Sequence, residues 1–264
     1  LQLLKLAVNV AAKTNFYSPL IPRGHWINSL EDFKQIPITP LSLFRQQKLS
    51  DVVPNVDKIK WVVGAYKGQL KHEVAIVEDN IETAIRYDLF KDAIVNSTCD
   101  LNPKSAATIT SPNRRYFAAE ICSIFGYLGI PSHVLIDDGS TYALEQLHKL
   151  SPDIFCILTD NIDESNIPSS VSLCVTFRRS HLLTRFRQLD MYIVDEFGFL
   201  GHTTDLNDWI LYNDQYLFEE GDDQKLVVTA LHNLTQPLTR LETHDSYDVI
   251  HDHKVSLRDL YNCS

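Results

Sequence analysis

The chain has 264 residues, 44% hydrophobic and 22% charged, with 24 lysines and arginines against 34 aspartates and glutamates for a net charge of −10. That composition excludes disordered, collagenous and coiled-coil classes, and the cations are too scattered to neutralise a phosphate backbone, so no nucleic-acid partner is expected. No apolar run reaches the roughly 18 residues of a spanning helix, so no membrane span is expected either.

In chain order, Leu1, Leu4, Val8, Ala11 and Ala12 fall on one side of a helix that gives way at Thr14-Asn15. Asn28-Ser29 ahead of Leu30-Glu31-Asp32-Phe33 signals a short capped helix. Ile36-Pro37-Ile38-Thr39-Pro40 forces extended chain before another helix near Leu41. Residues 1–58 thus read as a helical collar. The β-branched runs Ile59–Val63 and His72–Val77, separated by a loop holding Gly64 and Gly68, predict strand, turn and strand. Asp79 then caps a helix to Ala93.

Ala106–Thr110, Tyr116–Leu128 and Ile130–Ile136 predict strand, helix and strand. A helix at Thr141–Leu150 and strands at Asp153–Leu158, Val171–Phe177 and Met191–Val194 continue the rhythm. Alternating strands and helices argue an α/β fold with a mostly parallel sheet covered on both faces. After residue 208 the expected elements are strands at Trp209–Phe218, Leu226–Leu231 and Asp248–Val255, a β-rich tail. The organisation expected is 1–58, 59–205 and 206–264.

Five cysteines without a C-x-x-C pair, three of them among apolar neighbours, read as buried thiols of a reducing compartment. The opening Leu1–Val8 is too interrupted for a signal peptide. A cytoplasmic location follows.

The loop Val63-Gly64-Ala65-Tyr66-Lys67-Gly68-Gln69 is where backbone N–H groups would cradle a phosphate, but it lacks the Gly-Lys-Ser/Thr of a Walker loop and reads first as a plain turn. Thr110-Ser111-Pro112-Asn113-Arg114-Arg115 ahead of a helix is an anion-site candidate beside the simpler reading of a capped helix. His244, His251 and His253, interleaved with Asp245 and Asp252, lack a third neutral ligand at a recognised spacing, so no metal site is expected. Asp137-Asp138 ends a strand and opens a helix, and no G-x-S-x-G elbow is present.

Three segments in order carry a resemblance: Glu196-Phe197-Gly198-Phe199-Leu200-Gly201-His202, Leu226-Val227-Val228-Thr229-Ala230-Leu231, and Gln236-Pro237-Leu238-Thr239-Arg240-Leu241-Glu242-Thr243-His244-Asp245. Together with Phe16-Tyr17 and Ser29–Thr39 they resemble the adenylate-forming superfamily, in its phenylacetate–CoA ligase and capsule-biosynthesis-like branch. The resemblance spans essentially the whole chain. It implies the N-terminal domain of those enzymes, α/β with a β-rich C-terminal portion.

It further implies nucleotide-binding roles for Asp245 on the ribose hydroxyls, for Phe197 and Gly198 against adenine, for Arg240 in the same segment, and for Thr176 at a strand-end wall. ATP or AMP with magnesium would be the cofactors, and a carboxylic acid or acyl-adenylate the small-molecule partner. Gly64, Lys67 and Gly68 are the counterpart of the family's hydroxyl-rich phosphate loop, here without a serine or threonine. The family's magnesium-organising glutamate corresponds to Gly201, leaving Glu196 or His202 as substitutes. The C-terminal lid with its lysine would begin near Tyr261, and a protein partner supplying a lid and a homodimer both stay open. Two functions are therefore expected as alternatives: an atypical or degenerate AMP-forming acid ligase of a biosynthetic pathway, and a non-catalytic pseudoenzyme that binds or scaffolds.

Overall fold

A computed structural model describes the backbone of residues 1–21, 24, 27–55, 62–67, 73–159, 162–177, 183–194, 196–204, 208–251 and 254–257, with side chains except at 62–67, 73–76, 248–251 and 254–257. The elements are α1 (Gln2–Ala11), α2 (Leu30–Lys34), β1 (Thr39–Pro40), α3 (Leu41–Arg45), α4 (Leu49–Val52), β2 (Val62–Lys67), β3 (Glu73–Val77) and α5 (Asn80–Ser97). Then come β4 (Ala106–Thr110), α6 (Arg115–Tyr127), β5 (Ser132–Ile136), α7 (Tyr142–Leu150), β6 (Ile154–Leu158), β7 (Leu173–Phe177) and β8 (Gln188–Val194). The remainder is β9 (Gly198–Thr203), β10 (Trp209–Leu211), β11 (Tyr216–Glu220), β12 (Lys225–Ala230), β13 (Leu241–His251) and β14 (Lys254–Leu257).

The chain divides into two units. The first comprises Leu1–Ile85, Asp195–Phe197 and Leu211–Ser264, the second Arg86–Val194 and Gly198–Ile210. The chain passes between them at 85/86, 194/195, 197/198 and 210/211.

The second unit is built on strands in the order β9-β8-β7-β6-β4-β5. Pairs from β5 through β8 are parallel, and β8–β9 is antiparallel. Ala106–Thr110, Ile154–Leu158 and Leu173–Phe177 are buried at every position, the pattern of strands covered on both faces. Because β5 and β6 flank β4 on opposite sides, right-handed crossovers send α6 and α7 to opposite faces. On the α7 face Ala143 and Leu147 pack on Ala107, Ile109, Phe155, Ile157 and Cys174. An aromatic group of Phe90, Phe117, Phe125, Phe177 and Phe199 forms a second core, with centroids 5.0–6.1 Å apart.

In the first unit β11, β12, β13 and β14 pair antiparallel in sequence order, and β1 runs parallel to β13. The capped helix expected after Asn28-Ser29 is present, and its cap is a capping box, with Ser29 Oγ accepting from Asp32 N–H and the Asp32 carboxylate accepting from Ser29 N–H. Asp79 caps α5 by accepting from the N–H groups of Ile81 and Glu82.

Three local expectations change. The strand expected over Trp209–Phe218 is two strands, because Tyr212 O accepts from the N–H groups of Gln215 and Tyr216 and closes a turn over Asn213-Asp214. The strand expected at Asp248–Val255 is the end of β13 and the start of β14, joined by 252–253. Glu196–His202, for which no element was expected, supplies most of β9, whose strand character comes from pairing with β8.

Candidate functional site

The segment that the resemblance singles out begins where β12 ends. Residues 231–240 are clipped at three points of the first unit. Glu82 Oε1 accepts from Leu234 N–H at 2.5 Å and Thr235 N–H at 2.7 Å, Gln236 Oε1 accepts from Val77 N–H at 3.0 Å, and Tyr17 Oη accepts from Thr239 N–H at 3.0 Å. Glu82 Oε2 also accepts from Asp79 N–H at 2.8 Å. Glu82 is buried, and loss of solvent holds its carboxyl above the usual range in spite of these donors.

At the end of this segment Arg240 takes φ 47°, and its guanidinium is held inside the unit through Nε and Nη1. Its Nε donates to Glu219 Oε2 at 3.1 Å and its Nη1 donates to the carbonyls of Lys34, at 2.6 Å, and Ile36. The guanidinium carbon lies 5.5 Å from the Phe33 ring centroid. The arginine expected at the nucleotide thus ties α2 to β11.

Asp245 sits in a bulge. Between the pairs Val227↔Glu242 and Lys225↔Ser246, two steps along β12 face four along β13, so Thr243, His244 and Asp245 leave the regular ladder. Bulges re-aim side chains. Thr243 Oγ1 donates to Leu226 O and accepts from Asp245 N–H, while Lys225 Nζ donates to His244 O and Ser246 Oγ. His244 is exposed and Asp245 is 1% exposed, so the bulge turns the histidine out and the carboxylate in.

The Phe197 ring is 1% exposed and meets Tyr216 edge-on at 6.3 Å, and Tyr216 Oη donates to Phe197 O at 2.6 Å. Enclosed in this way, the ring offers no open face without a rotamer change. Neighbouring Glu196, one candidate for holding magnesium, receives the Arg45 guanidinium on both oxygens, the Nη2 contact at 2.9 Å. A bidentate pair of this kind balances the carboxylate's charge and fixes its orientation toward Arg45.

Gly198 and Thr176 belong to the second unit. Gly198 has φ +77°, and a Cβ there would lie 2.7 Å from Arg86 Cδ. Arg86 in turn is paired with Glu120. Thr176 is buried; its Oγ1 donates to Asp190 Oδ1 at 2.9 Å and accepts from Gln188 Nε2 at 2.7 Å. His202, the other magnesium candidate, lies on β9 opposite Met191, and burial lowers its pKa.

The phosphate-loop counterpart changes character. Gly64 and Lys67 lie inside β2, opposite Ile76 and Glu73, with a register shift between Val62 and Gly64. In an antiparallel pair of extended strands successive amides point to opposite sides, so the strand does not gather them around one anion as a loop would. Gly68, Arg178, His253 and Cys263 lie outside the described residues.

At the anion candidate ahead of α6, Pro112–Arg114 form a 3-10 turn with no side-chain cap, Arg114 Nη1 reaches Leu158 O at 3.5 Å, and exposed Arg115 stacks on Tyr116. Asp137 accepts from Thr159 Oγ1 and Gly139 N–H, and Asp138 from Ser140 N–H, the turn role expected of them. Among the described residues no group of three or more His, Cys, Asp or Glu could hold a metal ion, and no helix is long and apolar enough to cross a membrane. Nothing in the sequence marked the contacts of Glu82 with Leu234 and Thr235 or the Arg45–Glu196 pair, since these partners lie more than 150 positions apart.

No protein-family profile matches the sequence, and no curated protein sequence matches it. Solved structures do. A 2-hydroxyisobutyryl-CoA ligase in the postadenylation state with 2-HIB-AMP is similar at TM-score 0.70 and 13% identity over 97% of this chain and 65% of that one. The same ligase in an open conformation with 2-HIB-AMP and CoA is similar at TM-score 0.67 and 13% identity, over 96% of this chain and 72% of that one. An anthranilate–CoA ligase in complex with anthranoyl-AMP is similar at TM-score 0.50 and 16% identity, over 74% and 46%. The chain thus spans about two thirds of the length of the first ligase. Its α/β architecture, a mostly parallel sheet flanked by helices followed by antiparallel strands, is the fold of the N-terminal domain of the adenylate-forming ligases.

Proposed function

We propose that the chain is an atypical member of the adenylate-forming group, phenylacetate–CoA ligase-like, that binds an acyl-adenylate or AMP and does not carry out adenylation efficiently by itself. The observation that carries this reading is the likeness over 97% of the chain to a ligase whose structure holds an acyl-AMP. Asp245 is the residue assigned to the nucleotide. A carboxylate accepts from two hydroxyls at once, which suits a ribose diol. When bound, the adenylate would supply an activated acyl group.

The parts that would handle a triphosphate and magnesium fit poorly. Gly64 and Lys67 are in a strand, and the strand Val62–Lys67 contains no serine or threonine. Glu196 is held by Arg45. Charge stabilisation of a transferring phosphoryl group is the main catalytic device in such chemistry, and each lost part costs orders of magnitude in rate. The second reading, a non-catalytic binding or scaffolding protein, is favoured by the engagement of Arg240, Glu196 and Thr176 in internal hydrogen bonds.

Calorimetric titration with AMP, with ATP plus magnesium, and with a non-hydrolysable acyl-sulfamoyl adenosine separates the two. Binding of the acyl analogue, weakened at least tenfold by Asp245→Asn in a protein of unchanged circular dichroism, is the expected result, with ATP plus magnesium no tighter than AMP. Absence of heat with all three up to about millimolar ligand overturns the nucleotide reading and leaves the scaffold.

A further inference from the structure

Asp245 lies in a gap of the first unit's sheet. Along β13, pairing with β1 stops at Glu242 and pairing with β14 starts at Tyr247, while β12 passes from Glu242 directly to Ser246. Among the described residues, Thr243, His244 and Asp245 therefore have no strand partner on either side. The extra residues of a bulge fall out of the ladder, and buried backbone groups then need other partners.

Side chains supply them, and two converge on one peptide group. Thr243, 3% exposed, uses its Oγ1 twice, donating to Leu226 O at 3.0 Å and accepting from Asp245 N–H at 3.3 Å. Lys225, opposite Ser246 in the register, donates from Nζ to Ser246 Oγ and to His244 O, each at 2.9 Å. His244 C=O and Asp245 N–H belong to the same planar peptide. Its oxygen is held by Lys225 and its N–H by Thr243, and Thr243 is itself tied to β12 through Leu226 O.

We propose that Lys225 and Thr243 are positioning residues for Asp245, holding the peptide ahead of it so that its carboxylate keeps one direction for a ribose diol. The proposal rests on the assignment of Asp245 to the nucleotide. It needs neither Lys225 nor Thr243 to touch the ligand. A peptide is rigid about its C–N bond, so anchoring both its polar atoms fixes the plane from which the Asp245 Cα is built. A carboxylate that accepts from two adjacent hydroxyls depends on that direction, because a tilt gives up one of the two hydrogen bonds.

Calorimetric titration of the whole chain with AMP and with 2′,3′-dideoxy-AMP tests this, since the second ligand lacks both hydroxyls. AMP is expected to bind the unaltered chain about tenfold tighter or more, the worth of a pair of hydrogen bonds to a charged group. Thr243→Val keeps the branched shape without the hydroxyl, and Lys225→Met keeps the stem without the ammonium. Each is expected to reduce the ratio to below about threefold, with dideoxy-AMP affinity and circular dichroism unchanged. Thr243→Ser, which keeps the hydroxyl, holds the original ratio. Either variant retaining the full ratio, both ligands weakening together, or serine losing as much as valine overturns the proposal. An unaltered chain that binds neither ligand, or both equally, overturns the ribose assignment and the proposal with it, and that result is read before any variant is made.

Discussion

The sharpest test of how the chain uses its residues is Arg240. The resemblance gives this arginine to the nucleotide, whereas its guanidinium spans Glu219, the carbonyls of Lys34 and Ile36, and the Phe33 ring. The Arg240 and Glu219 side chains are 7% and 10% exposed. Replacing Arg240 by methionine keeps much of the stem packed but leaves the Glu219 carboxylate unpaired in a nearly dry place and strips two carbonyls of a charged donor. Breaking one side of a buried pair costs about 3–5 kcal/mol, and the lost charge-assisted hydrogen bonds, roughly 1.5–3 kcal/mol each, lie within that range once non-additivity is allowed for. At roughly 2–4 °C per kcal/mol, the first unit should melt about 6–20 °C lower. Urea unfolding and scanning calorimetry measure this. Adding Glu219→Leu should recover part of the loss, because the orphaned carboxylate is then gone. A change below about 1 kcal/mol, or a loss of ligand affinity with stability intact, would refute the structural assignment.

Three further outcomes follow from the same geometry. Glu82→Gln should destabilise by about 1–3 kcal/mol, because one amide oxygen cannot serve three N–H donors. Since burial raises the folded-state pKa of Glu82, its contribution relative to glutamine is fullest below the ordinary carboxylate range and declines as pH rises through the raised pKa, which urea titrations at several pH values would trace. Gly198→Ala should cost more than about 1 kcal/mol, since φ +77° is unfavourable for alanine and the new Cβ meets Arg86 Cδ at 2.7 Å; an unchanged unfolding midpoint would contradict that contact. Alkylation mapped by mass spectrometry at mildly alkaline pH should label exposed Cys99 in the folded protein, and Cys156 and Cys174 only in denaturant, because burial pushes both thiols up, Cys174 to about 12.

Sequence by itself determined what is local. The capping box at Ser29 and Asp32, the helix start at Asp79, and the strand–helix–strand rhythm from Ala106 to Ile136 depend on contacts within a few residues, so periodicity and cap chemistry sufficed. Ordered motif fragments carried the superfamily likeness across the chain, even where whole-sequence comparison finds no match. Tertiary structure decided the rest, because each remaining feature joins residues far apart. Gly64 looked like part of a loop until pairing with Ile76 put it in a strand, and Glu196–His202 carried no expected element until β8 drew most of it into a sheet. Arg240 and Glu196 carry the same charges in a ligand site as in a structural clamp. Only the positions of Glu219, Lys34, Ile36 and Arg45 distinguish the two, since they show which neighbours already hold these groups from within.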